Sequence, residues 1–149
     1  MMVIGIGNEY RHDDAVGLHI ARAFKEKDMP HVKVIEHSGE GTNLIESWVG
    51  VDKVIICDAM QSNDVPGTFC RFDAYKDELP AAFASFSTHS FSLADAIEMA
   101  RALGRLPKQL IIYGIVGEDF SAGTGLSKEL QAVVSNIIKR IETQLTCRS

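Results

Sequence analysis

Two adjacent carboxylates, Asp13 and Asp14, follow the short apolar run Val3–Ile6 across the turn Gly5-Ile6-Gly7-Asn8. A third, Asp58, closes the run Val54–Cys57, and His89 stands four residues ahead of a helical pattern beginning at Leu93. Two carboxylates and an imidazole from three segments form an oxygen-rich, borderline donor set that suits nickel or zinc and leaves coordination positions open. A helix N-terminus disfavours imidazolium, so His89 is expected neutral and able to bind metal. Each residue has a plainer reading when taken singly. Asp58 would serve as a turn or cap residue, the acid pair would complement a helix dipole, and His89 would cap or pack. His12, on the loop of Asp14, is a candidate fourth contact, whereas His19, His31 and His37 are expected at the surface or in packing.

Other chemistries fit less well. Gly5 and Gly7 with Glu36 downstream imitate a dinucleotide motif, but Tyr10 replaces its third glycine and two acids occupy the place of a pyrophosphate. Neither H-E-x-x-H nor G-x-S-x-G occurs. Cys57 and His89 suggest a cysteine peptidase, yet strand alternation turns Cys57 away from the face used by Asp58, which makes it a buried thiol.

The elements that must carry these residues are short buried strands and amphipathic helices. Apolar runs at Val3–Ile6, Val32–Ile35, Val54–Cys57 and Leu110–Ile115 read as strands covered on both sides, hence mainly parallel. Val16, Ile20, Ala21 and Phe24 mark one face of a helix from about Asp14 to Lys27. Leu93, Ile97 and Ala100 mark another, stopped by Gly104 and Pro107. Leu130, Val133, Val134, Ile137, Ile138 and Ile141 mark the last, with Ser127 as its N-cap. Thr68–Phe72, reached by the Pro66-Gly67 turn, reads as an antiparallel edge strand, and Asp73–Thr88 as a long functional loop. The expected fold is an α/β three-layer sandwich: a mainly parallel twisted sheet with one antiparallel edge strand and helices on both faces. Ligands of such sheets bind beyond the carboxyl ends of the strands, where Asp14 and Asp58 are expected.

Bulk properties agree. With 149 residues, 46% hydrophobic and 23% charged, the chain is expected to form one domain over 1–149. A net charge of −5 disfavours nucleic acid and anionic membranes as partners. No apolar run is long enough to span a bilayer, and the opening residues carry no basic segment or cleavage pattern, so a cytoplasmic location is expected. Cys57, Cys70 and Cys147 lack metal or redox spacing and read as free thiols.

The string Gly5-Ile6-Gly7-Asn8-x4-Asp13-Asp14-x2-Gly17 resembles the opening signature of the hydrogenase maturation peptidases, which remove a C-terminal extension from the large subunit of nickel–iron hydrogenases. Further blocks follow in that family's order: Ile55-Ile56-Cys57-Asp58-Ala59, Pro66-Gly67-Thr68, Thr88-His89-x3-Leu93-x-Asp95, and Gly114-Ile115-x2-Glu118 through Gly125-Leu126-Ser127. The resemblance implies a metal-binding trio of Asp14, Asp58 and His89, with Asp14 and Asp58 also candidates for the catalytic acid–base role. It implies that the metal is nickel already installed in the substrate, a large-subunit precursor whose own ligands complete the shell. No tightly held cofactor of the peptidase is then expected. The loop Glu36–Thr42 is similar to the family's Asp-Gly-Gly-Thr type, which implies substrate contact at Gly39, Gly41 and Thr42. The chain departs from the family in having Asp14 where several relatives carry glutamate, and Glu118-Asp119 where Glu-Pro is usual. The residues by themselves leave open a same-fold peptidase for another precursor, or a non-catalytic metal module that docks on a nickel protein.

Overall fold

The computed structural model describes residues 1–39, 41–80 and 92–146. Strand β1 (Met2–Ile6) leads through a 3₁₀ turn, His12–Ala15, into helix α1 (Val16–Lys27). Then come β2 (Lys33–His37), α2 (Gly41–Ser47), β3 (Lys53–Met60), β4 (Phe69–Asp73), α3 (Leu93–Ala102), β5 (Gln109–Val116) and α4 (Lys128–Thr146). The strands form one sheet in the order β2-β1-β3-β5-β4, parallel except for the antiparallel edge strand β4.

Alternation along the strands builds two cores. Ile4, Val54, Ile56, Met60, Leu110 and Ile112 pack against Leu44 and Ile45 of α2, Trp48 just after it, and Leu93, Ala96, Ile97 and Ala100 of α3. Val3, Ile55, Cys57, Ala59, Tyr113 and Ile115 pack against Val16, Ile20 and Phe24 of α1 and Leu130, Ile137 and Ile141 of α4. Because helices cover both faces, the strands read as continuous apolar runs. No helix among the described residues is long and apolar enough to cross a membrane.

The chain leaves β1 for β2 on one side, then returns to place β3 on the other. The strand order therefore reverses between β1 and β3. There α1 lies unusually close to the sheet. A Cβ on Gly17 would stand 2.3 Å from the Cys57 carbonyl oxygen and 2.4 Å from that of Ile6, and one on Gly5 would stand 2.1 Å from the Gly17 oxygen. These glycines let helix and strands touch through their backbones.

Helix α3 runs back along the opposite face. Arg101, in its last turn, donates to the Ala74 carbonyl at 2.7 Å, and the Ala74 amide donates to Leu110 at the amino end of β5 at 3.0 Å. Ten helical residues rise about 15 Å, so Leu93 lies toward the carboxyl ends of the parallel strands. A capping box fixes that end: the Asp95 amide donates to Ser92 Oγ at 3.2 Å, and the Ser92 amide to the Asp95 carboxylate at 3.0 Å.

Three boundaries differ from the sequence reading. The α-helix begins at Val16 rather than near Asp14, because the His12 and Asp13 amides donate to Gly123 and Asp119 at 3.0 and 2.9 Å. Strand β3 continues through Met60, so Asp58 lies within it, paired with Gly114. Of the loop expected over Glu36–Thr42, Glu36 and His37 belong to β2, while Gly41 and Thr42 open α2. Residues 81–88 of the expected long loop lie outside the described residues.

Gly17→Ala should destabilise the protein by about 3 kcal/mol, since backbone on both strands must retreat to admit a methyl group. Urea unfolding of wild type and variant checks this; a loss below about 1 kcal/mol would show that the contact yields easily.

Candidate active site

The turn after β1 and the carboxyl half of β3 bring Asp14 and Asp58 together at the point where strand order reverses. Both are buried, at 7% and 3% exposure. Asp58 shares its strand parity with Ile56 and Met60, which face α2 and α3, whereas Cys57 faces α1 and α4. Burial, then the neighbouring Asp14 charge, push the Asp58 carboxyl well above its ordinary range, against the lowering effect of the Ala59 amide, which donates to Oδ1 at 2.8 Å. Burial likewise raises Asp14, opposed by the Arg11 charge and by the Asn8 amide that donates to its carboxylate. Two carboxylates whose proton affinity is raised by burial, and at Asp58 also by its neighbour's charge, can bind a dication or act as a base. The buried Cys57 thiol is pushed upward by desolvation and by Asp58, which leaves it unreactive.

His89 lies outside the described residues, and so does Cys147. Among the described residues, no three His, Cys, Asp or Glu side chains gather around a common point for an ion. Capped α3 itself begins on the face used by Asp58, toward the carboxyl ends of the parallel strands. His12 has a positive φ of 43° and its Nδ1 pairs with the Gly125 carbonyl at 3.0 Å, which ties it to the loop after β5. The Glu36 carboxylate is taken by Lys25 at 2.8 Å and Arg22 at 2.9 Å, and these cations hold it below the ordinary range. Gly39 has φ 89°, and its amide donates to His37 Nδ1 at 2.8 Å, folding the chain tightly between β2 and α2.

The spacing of residues gave no separate role to Asp13, which differs sharply from its neighbour. Its carboxylate is 0% exposed and receives the amides of Glu118, Asp119 and Ser127 at 2.7, 3.0 and 2.7 Å, and the Ser127 hydroxyl at 2.7 Å. Ser127 also receives the Leu130 amide at 3.4 Å, as expected of the N-cap of α4. Arg11 donates to the Phe120 carbonyl at 3.1 and 3.3 Å. Partners more than 100 residues downstream leave no mark in local spacing.

Residues 15–144 match the hydrogenase maturation protease family (HycI). The hydrogenase 2 maturation protease of Escherichia coli (strain K12) is 28% identical over 145 residues, spanning 95% of this chain and 87% of that protein. The solved structure of the hydrogenase maturating endopeptidase HybD from E. coli superposes with a TM-score of 0.81 at 26% identity, covering 97% of this chain and 90% of that one. The NiFe hydrogenase maturation protease HybD from Thermococcus kodakarensis shares the fold, with a TM-score of 0.73 at 24% identity and 96% and 97% coverage.

The raised Asp58 carboxyl has a consequence for stability. A group whose folded value lies above its unfolded one costs nothing below pH ~4 and destabilises progressively as pH rises through the folded value. Asp58→Asn keeps the acceptor for Ala59 and removes that cost. In chelator-treated protein the variant should melt higher than wild type at pH 7, with the difference vanishing near pH ~4. A lower melting temperature at pH 7 would contradict the electrostatic reading.

Proposed function

The chain belongs to the hydrogenase maturation protease family, and from that premise we propose that it acts in the cytoplasm as the endopeptidase that removes the C-terminal extension of a nickel–iron hydrogenase large-subunit precursor after nickel insertion. Asp14, Asp58 and His89 recognise the nickel held by the substrate, and the peptidase keeps no tightly bound metal of its own. The observation that carries this reading is the pair of buried carboxylates at the strand-order reversal, each with its proton affinity raised.

A dication arriving with the substrate replaces the repulsion between Asp14 and Asp58 by two attractions, in a site where water screens little. A metal-free precursor supplies no such charge, so the carboxylates discriminate the finished subunit from the unfinished one. Few contacts from the peptidase suffice, because the substrate's own ligands, cysteine thiolates among them, complete the shell. Docking on the nickel brings the scissile bond to the acids, and a carboxylate of raised proton affinity accepts the proton of the attacking water. Nickel supplies Lewis acidity to the same step. Gly39, Gly41 and Thr42 contribute substrate contact where β2 passes into α2.

Nickel-loaded precursor incubated with the protein should release its C-terminal fragment, and metal-free precursor should not. Asp14→Asn, Asp58→Asn and His89→Ala should each slow release by about 100-fold or more, since positioning errors near 1 Å have that effect. Asp14→Glu, which keeps charge and donor type, should retain substantial activity. Mass spectrometry of the products, with circular dichroism of each variant, decides. Equal cleavage of metal-free precursor would sink nickel recognition, and wild-type rates in all three folded variants would sink the site.

A further inference from the structure

We propose that Asp13 is a positioning residue: its buried carboxylate joins the loop after β5 to the turn that bears Asp14, and so sets where the Asp14 carboxylate stands opposite Asp58. The inference rests on the reading of Asp14 and Asp58 as the pair that meets the substrate's metal.

Four uncharged donors converge on this one carboxylate. Oδ2 receives the Glu118 and Asp119 amides and the Ser127 hydroxyl, and Oδ1 receives the Ser127 amide. A carboxylate can accept all four because both oxygens are acceptors. Asparagine occupies the same volume but offers one oxygen and an NH₂ group, so at least one buried donor would face another donor.

Two features carry the effect from Asp13 to its neighbour. Asp13 and Asp14 share the 3₁₀ turn His12–Ala15, in which the Asp14 amide donates to Arg11 at 3.0 Å, so neither residue moves without the other. The same turn meets the same loop at further points: the Asp13 amide on Asp119, the His12 amide on Gly123, His12 Nδ1 on Gly125 and Arg11 on Phe120. Turn and loop thus form one hydrogen-bonded block with the Asp13 carboxylate at its centre, and the block includes Asp14, whose charge acts on Asp58 of β3. Releasing a donor from the centre lets the block shift and moves the Asp14 carboxylate relative to Asp58. A shift of about 1 Å is enough to matter for positioning.

The test uses the full chain as wild type, Asp13→Asn, Ser127→Ala and Asp58→Asn. Nickel(II) and cadmium(II) are titrated calorimetrically into each, and cleavage of nickel-loaded precursor gives kcat per folded molecule. Asp13→Asn should lose at least about tenfold in both metal affinity and kcat. Ser127→Ala, which removes one donor and leaves the carboxylate, should move both in the same direction by less. A lowered melting temperature with unchanged metal affinity and kcat among folded molecules would make Asp13 a fold staple only and overturn the proposal. If Asp13→Asn does not fold, wild-type affinity and kcat in Ser127→Ala overturn it. Asp58→Asn separates the two levels: its loss of both readouts beside an unaffected Asp13→Asn refutes positioning alone. Wild-type behaviour of Asp58→Asn refutes the site and the positioning role with it.

Discussion

Where α1 crosses the sheet, a methyl group on Gly17 would collide with the carbonyl oxygens of both Ile6 and Cys57. Glycine there allows the helix to rest on the backbone of β1 and β3, and the residues just before the helix are carried to the same place. Asp14 stands three positions ahead of Gly17, and Asp58 follows Cys57 directly. One close backbone approach therefore brings together two carboxylates that are 44 positions apart. A side chain at this contact would lift the start of α1 and separate them.

Bringing them together works against stability. Each carboxylate is withdrawn from water, and Asp14 adds its charge to the burden on Asp58. The fold tolerates this because the turn is tied down elsewhere: Asp13 accepts four hydrogen bonds from the loop after β5, and His12 and Arg11 reach that loop as well. Adjacent acids thus do opposite work. Asp13 is satisfied and holds the turn, while burial keeps the proton affinity of Asp14 raised despite the Arg11 charge and the Asn8 amide. A site under such tension gains most from a ligand that brings positive charge.

The architecture was legible because both sheet faces are covered, which writes each central strand as an apolar run and each helix as a stripe. The family was legible in the spaced blocks around Asp14, Asp58, Asp95 and Glu118. The start of α1 was not, because amides of His12 and Asp13 are drawn to Gly123 and Asp119, and tertiary bonds override the local preference for helix. Asp58 read as the end of a strand because a carboxylate interrupts the hydrophobic pattern, yet β3 and β5 remain paired through Met60 and Val116. Glu36 only imitated the acid of a dinucleotide motif, and its partners Lys25 and Arg22 became visible only when α1 was laid beside β2. Asp13 was paired with Asp14 in the sequence and separated from it only by three-dimensional contacts.

Nickel-edge X-ray absorption reports most directly on whether the carboxylate pair meets the substrate's metal. Nickel-loaded precursor would be measured alone, then frozen rapidly after mixing with wild-type peptidase or with an Asp14→Ala/Asp58→Ala double variant. Wild type should add oxygen or nitrogen scatterers to the nickel shell, and the double variant should not add the carboxylate oxygens. A nickel shell unchanged by wild-type peptidase, in a mixture that goes on to release the C-terminal fragment, would contradict the account.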